Sequence, residues 1–267
     1  MLLSREEGMM RIVFVGPNPR IAIIAALALT AAGCGSFPWS RPAPVETGYV
    51  THPFRSASTG STRRYAMYIP PEYNKTKRPW PLLLFLHGAG ESGDDVDMTI
   101  RHGPLKTAMM RGEFPFVVVA PQSQRGLAAG GAWAAQEEDV FAILNRVRAD
   151  YRIDDSRLYL TGLSMGGFGC FALAARKPGV FAAVAPICGG GNPADARKYE
   201  GAPFWIFHGD LDPVVPVGRS IEMYEAMKAM DQDVKLTRYP DLGHDSWTRT
   251  YDGEEIYAWL LSHEKPK

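Results

Sequence analysis

The sequence predicts an α/β fold, a mostly parallel central sheet with helices on both faces. Three observations carry this prediction. Short apolar runs alternate along the chain with longer segments of helical spacing. The central runs, residues 82–86 and 116–120, are apolar at every position, as expected of strands covered on both faces. Several of the runs lead into segments rich in glycine, aspartate or histidine, at the strand ends where such sheets place their chemistry.

The elements follow in order. Residues 64–69 alternate and form a strand, which Pro70 and Pro71 end. Residues 82–86 and 116–120 are strands, the second stopped by Pro121. Residues 137–151 form a helix with Val140, Ile143, Leu144 and Val147 on one side. Glu137, Glu138 and Asp139 suit its positive end. Residues 158–161 are a strand and 165–176 a helix that stops near Pro178. Strands at 182–187, 204–207 and 234–239 then alternate with helices at 220–230 and 254–261. The connections after the 165–176 helix are short, so no large lid domain is expected.

Composition narrows the function classes. The chain has 267 residues, 46% hydrophobic and 22% charged, which is ordinary for a globular protein with a sizeable core. Lys plus Arg (29) equals Asp plus Glu (29), so no basic field recruits nucleic acid. The cysteines, Cys34, Cys170 and Cys188, are too few for a disulfide scaffold and lack zinc-ligand spacing. Cys170 and Cys188 would pack as buried thiols or pair as a disulfide; the first reading is favoured.

The N-terminus has a different character. Arg11 and Arg20 precede an apolar run, residues 21–32, broken only by Thr30. The run is too short for a membrane span of roughly 20 residues and fits the core of a secretory signal. Ala31-Ala32-Gly33-Cys34 closes it and resembles a bacterial lipoprotein signal, with Cys34 lipidated. Met9 or Met10 would serve as an alternative start. The expected organisation is a signal over residues 1–34, a Pro-rich tether over 35–50 and a catalytic domain over 51–267. The expected location is outside the cytoplasm, on a membrane through the lipid anchor alone.

The strand ends carry the candidate chemistry. Gly162-Leu163-Ser164-Met165-Gly166 lies between a strand and a helix. A serine at so tight a turn stands clear of the sheet, and glycines are needed where the two backbones nearly touch. Two aspartates follow residues 204–207: Asp210, suited to a turn, and Asp212, further along the loop and favoured as an acid. His244 follows the last strand and completes the order Ser, Asp, His. The Gly-rich loop at 87–93 would turn the N–H groups of Ala89 or Gly90 toward the site. With the N–H of Met165 these form an oxyanion hole. Trp133 and Trp247 would wall the acyl group, or else pack in the core.

These segments resemble the α/β-hydrolase superfamily, in its phospholipase/carboxylesterase, feruloyl esterase and polyhydroxybutyrate-depolymerase-like branch. The matching residues are Leu86-His87-Gly88-Ala89-Gly90-Glu91, Ala120-Pro121-Gln122, Thr161-Gly162-Leu163-Ser164-Met165-Gly166-Gly167, Pro186-Ile187-Cys188-Gly189-Gly190-Gly191, His208-Gly209-Asp210-Leu211-Asp212 and Gly243-His244-Asp245-Ser246-Trp247. The resemblance spans roughly residues 60–263. It implies an α/β-hydrolase fold, an ester substrate that is small or polymer-linked, and a Ser164-His244-Asp212 triad with no cofactor and no metal. Gln122 is a further candidate substrate contact. The stretch from Gln122 to Ala135 departs from the family pattern: a Gly-rich run with a single Trp133 stands where a tryptophan pair or a proline-rich segment is expected. Two rivals share the fold. A peptidase of prolyl-oligopeptidase type would add a propeller, for which these residues leave no room. A non-catalytic binding protein would have no need of all three triad residues.

Overall fold

The computed structural model describes residues 44–127, 130–199 and 201–266. They build one eight-stranded sheet: β1 (Gly48–Arg55), β2 (Thr62–Ile69), β3 (Trp80–Leu86), β4 (Val117–Pro121), β5 (Ile153–Leu163), β6 (Ala183–Ile187), β7 (Phe204–Gly209) and β8 (Val234–Tyr239). The spatial order is β1-β2-β4-β3-β5-β6-β7-β8. β2 runs antiparallel to both β1 and β4, and every pairing from β4 through β3 to β8 is parallel. The helices are α1 (Gly103–Arg111), α2 (Ala132–Ala135), α3 (Glu137–Asp150), α4 (Met165–Arg176), α5 (Gly218–Lys228), α6 (Trp247–Asp252) and α7 (Glu255–Leu261). None of the described helices is long and apolar enough to cross a membrane.

The continuous apolar runs divide between two cores because successive side chains leave a strand on opposite faces. Leu82, Leu84 and Leu86 of β3 pack with Val140, Ile143 and Leu144 of α3, Phe171 and Leu173 of α4, and Met223 and Met227 of α5. Leu83 and Phe85 face the other way. They join Leu105 of α1, Tyr251 of α6 and Ile256, Tyr257 and Leu260 of α7. Both layers exclude water, which is why β3 and β4 lack a polar position.

The strands and helices predicted from periodicity are present, with ends displaced by a few residues. Four further elements lie outside that pattern. β1 contains Pro53, which an edge strand tolerates because its outer groups need no ladder partner. α1 begins with the positive-φ Gly103 and Pro104, and α2 and α6 are too short for a periodic signal. The tether boundary also changes. Gly48 to Val50 already pair with Met67 to Ile69, and Val45 exchanges two hydrogen bonds with the Asn74 side chain (3.1 and 2.7 Å). The predicted signal, Cys34 and the tether up to residue 43 lie outside the described residues.

Where β5 meets α4, backbones approach so closely that only glycine fits. A Cβ on Gly166 would stand 1.9 Å from the carbonyl oxygen of Leu86, one on Gly162 2.5 Å from that of Gly166, and one on Gly167 2.4 Å from that of Ile187. Backbone cannot retreat as a flexible side chain can. Gly166→Ala should therefore cost about 3 kcal/mol or more, the upper end for overpacking. Gly218→Ala, where a Cβ meets nothing within 4 Å, should be neutral or slightly stabilising. Urea melts of the two variants beside wild type check the contrast.

Candidate active site

Ser164 occupies the turn between β5 and α4 with φ 52° and ψ −115°. A non-glycine residue in this conformation carries strain on the order of 1–3 kcal/mol. The neighbours hold it there: its N–H donates to the Ile187 carbonyl (2.9 Å) and its carbonyl accepts from Phe168 N–H (3.1 Å). Met165 is the first residue of α4, so its N–H has no acceptor within the helix.

The loops after β7 and β8 are packed together through backbone. Leu211 N–H donates to the Leu242 carbonyl (2.9 Å) and Asp210 N–H to that of Tyr239 (2.9 Å). A Cβ on Gly209 would lie 2.2 Å from the Gly243 oxygen. This contact brings Asp212 and His244 together. His244 Nδ1 lies 2.7 Å from Asp212 Oδ2, and His244 Nε2 lies 3.0 Å from Ser164 Oγ. Asp212 Oδ1 accepts N–H bonds from Val214 (2.8 Å) and Val215 (2.9 Å). Burial pushes the Asp212 carboxyl upward, but the His244 hydrogen bond and the two N–H groups outweigh it and hold the group below the usual carboxylate range. Asp212 is therefore ionised at neutral pH. The chain Ser164–His244–Asp212 can pass the hydroxyl proton to Nε2 while Nδ1–H stays on the carboxylate.

Asp210 has a different role. Its carboxylate accepts from Arg238 Nε at 2.6 Å on the surface.

Ala89 and Gly90 are exposed in a short turn after β3 and line an open groove of about 460 Å³ together with Met165, Ser92, Arg125 and Leu127. Residues 128 and 129 lie outside the described part. Behind the turn is a buried polar network. His87 Nδ1–H donates to the Gly88 carbonyl (2.7 Å), and its Nε2 accepts from Ser123 N–H (3.0 Å). Burial pulls the His87 ring down to about 4, so it stays neutral and this tautomer persists.

Two predicted substrate contacts are corrected here. Trp133 is 1% exposed, and its Nε1–H donates to the His87 carbonyl at 3.1 Å, so its ring backs the loop rather than walling an acyl group. Gln122 is buried as well, and its Nε2–H donates to the Glu91 carbonyl at 2.6 Å. Both brace the turn that presents Ala89 and Gly90. Trp247 is half-buried and stands edge-on to the His244 ring, centroids 5.2 Å apart. Sequence reasoning does not single out His208, Gln136 or Ser220; the signal for His208 is its place directly before Gly209, at the end of β7.

Among the described residues, Cys188, Asp212 and His244 are a group with donor atoms close enough for a metal, within 4.8 Å of one another. Asp212 and His244 already share a hydrogen bond, and burial pushes the Cys188 thiol far up, so it stays protonated. Cys170 and Cys188 are both free and buried.

The fold places the protein among the α/β-hydrolases. Residues 122–258, just over half of the chain, match the dienelactone hydrolase family. The chain belongs to that family. It is 30% identical over 199 residues to a probable feruloyl esterase C of Aspergillus niger, covering 70% of this chain and 69% of that one. The counterpart of Aspergillus terreus is 35% identical over 170 residues, covering 60% of this chain and 59% of the relative. The crystal structure of a thermostable esterase superposes with a TM-score of 0.73 at 30% identity, covering 81% of this chain and 63% of that chain. The matches to these relatives thus span 59% to 69% of their length.

The two aspartates separate in a simple comparison. Asp212→Asn should lower kcat by about 10⁴-fold, the scale of loss when the acid of a serine hydrolase is neutralised and its histidine is left in the wrong tautomer. Asp210→Asn should leave kcat within a few-fold of wild type, since its carboxylate meets only Arg238 on the surface. Steady-state kinetics with a chromogenic ester checks the ranking.

Proposed function

We propose that this chain is a serine-dependent carboxylic ester hydrolase. The observation that carries the reading is the hydrogen-bonded row from Ser164 Oγ through His244 to Asp212, 3.0 and 2.7 Å long, with Met165, the residue after Ser164, lining an open groove. Ser164 Oγ attacks the ester carbonyl as its proton passes to His244 Nε2. Asp212 orients the ring and stabilises its charged form. The N–H groups of Met165 and of Ala89 or Gly90 hold the oxyanion, and losing one such donor costs about 2.7–4 kcal/mol of barrier. The alcohol leaves with the proton from His244. Water activated by the same nitrogen then attacks the acyl-enzyme and frees the acid.

The substrate class we infer is an ester of an aromatic acid, free or attached to a polymer. The curated relatives named as feruloyl esterases support it. So does the open groove, which admits a bulky alcohol, and the Trp247 ring beside His244, which suits a flat acyl group. We also infer export and lipidation at Cys34, on the strength of the apolar run that ends in Ala31-Ala32-Gly33-Cys34.

A fluorophosphonate probe should label the wild-type protein at Ser164 and fail on Ser164→Ala, which should keep its fold and lose ester turnover. Methyl ferulate and a short chromogenic ester should be cleaved, and a peptide anilide should not. Retention of more than a few per cent of turnover by Ser164→Ala would move the nucleophile elsewhere, and preference for the anilide would favour the peptidase reading. For location, the protein should enter the detergent phase on phase separation, and Cys34→Ser should abolish this without changing turnover. Wild-type protein that stays aqueous, with a mature N-terminus other than residue 34, would replace lipidation with ordinary secretion.

A further inference from the structure

A second histidine meets the carboxylate that serves His244. His208 is the residue before the last in β7, and its side chain is wholly buried. Its Nε2 lies 2.9 Å from the Val215 carbonyl and 3.2 Å from Asp212 Oδ2. Both neighbours are acceptors, so Nε2 must carry the hydrogen. Its Nδ1 lies 2.7 Å from Ser220 Oγ, on α5. Burial lowers the basicity of the ring, which keeps it neutral, so Nδ1 accepts from the Ser220 hydroxyl. The Gly189 carbonyl, 3.1 Å from Ser220 Oγ, is a second acceptor for the same hydroxyl hydrogen, with His208 Nδ1 the nearer of the two at 2.7 Å.

We propose that His208 is a positioning residue of the active site, its one Nε2–H held by the Val215 carbonyl and shared with the same Asp212 oxygen that holds His244 Nδ1–H. It does two things there. It pins the carboxylate rotamer, with Oδ1 held by Val214 and Val215 and Oδ2 shared by the two rings. It also draws negative charge from Oδ2, the oxygen that meets His244 Nδ1. Other groups also face His244. Cys188 is a buried neutral thiol, Trp247 presents a ring edge, and the exposed Asp245 lies next to His244 in the chain. His102 packs against Trp247, ring centroids 5.7 Å apart.

The sign of the effect follows. Removing the donor leaves more charge on Oδ2, favours the His244 imidazolium and raises the pH at which His244 becomes a competent base. In His208→Leu the acid limb of kcat/KM should move to higher pH, and kcat should fall about 10–100-fold, the scale of one hydrogen bond to a charged group. In His208→Gln, whose amide N–H can replace Nε2–H, the limb should stay at its wild-type position and most of kcat should return. An effect on packing alone would lower the melting temperature and activity of both variants while leaving the limb in place, and that result would overturn the proposal. The wild-type protein gives a test that does not depend on any variant folding. Its ¹⁵N histidine NMR spectrum should show His208 neutral with the hydrogen on Nε2 across pH 5–9 (roughly the range an ordinary histidine titrates in). An Nδ1–H tautomer or a charged ring would refute it. The inference rests on the Ser164–His244–Asp212 reading, which fluorophosphonate labelling tests separately. Failure to label Ser164 defeats that reading, whereas labelling together with the wrong tautomer defeats only this one.

Discussion

The contact on which the site depends is the backbone approach between α4 and the ends of β3 and β6. Gly162, Gly166 and Gly167 leave no room for even one added carbon, and the carbonyls of Leu86 and Ile187 fill the space. This approach forces Ser164 into a positive φ and lifts its hydroxyl above the sheet. It also places the start of α4, with its free N–H groups, directly after Ser164. The strain is sustained because both cores, one on each face of the sheet, hold the strands that surround it.

Burial then assigns each histidine its state. His87 and His208 are both buried, with every ring nitrogen in hydrogen-bond contact, so each is held neutral in one tautomer. His87 stiffens the loop bearing Ala89 and Gly90, and His208 abuts the acid. His244 keeps 19% of its side chain exposed, enough for Nε2 to reach a substrate, while its partner Asp212 has none. The ring proposed as the base is thus the one that faces solvent, and the two buried rings keep the parts around it in place. Trp133 and Gln122 belong with His87: each gives an N–H to the backbone of the turn.

Much of this was legible in the chain. The apolar runs marked the strands because both faces of the sheet are dry, and the alternating helices implied parallel pairing. The glycines around Ser164 announced a close approach before the partner was known. β1 was not legible, since this edge strand contains a proline and buries only Val50 fully, too little to mark a face. The short helices α2 and α6 lack the length that gives periodicity its meaning.

By itself the sequence determined which residue types stand at the strand ends, and in what order, because those positions follow from local hydrophobic pattern and turn chemistry. It could not determine which way a side chain faces once the loops meet. Trp133 reads equally well as a wall or as core, and only the contact with Gly169 and His87 on other elements turns it inward. The pairing of His208 with Asp212 likewise needs the acid loop to fold back on the end of β7 while α5 brings Ser220 from the other side. Such contacts join segments whose separation in the chain carries no signal of their separation in space, so the tertiary structure alone decides them.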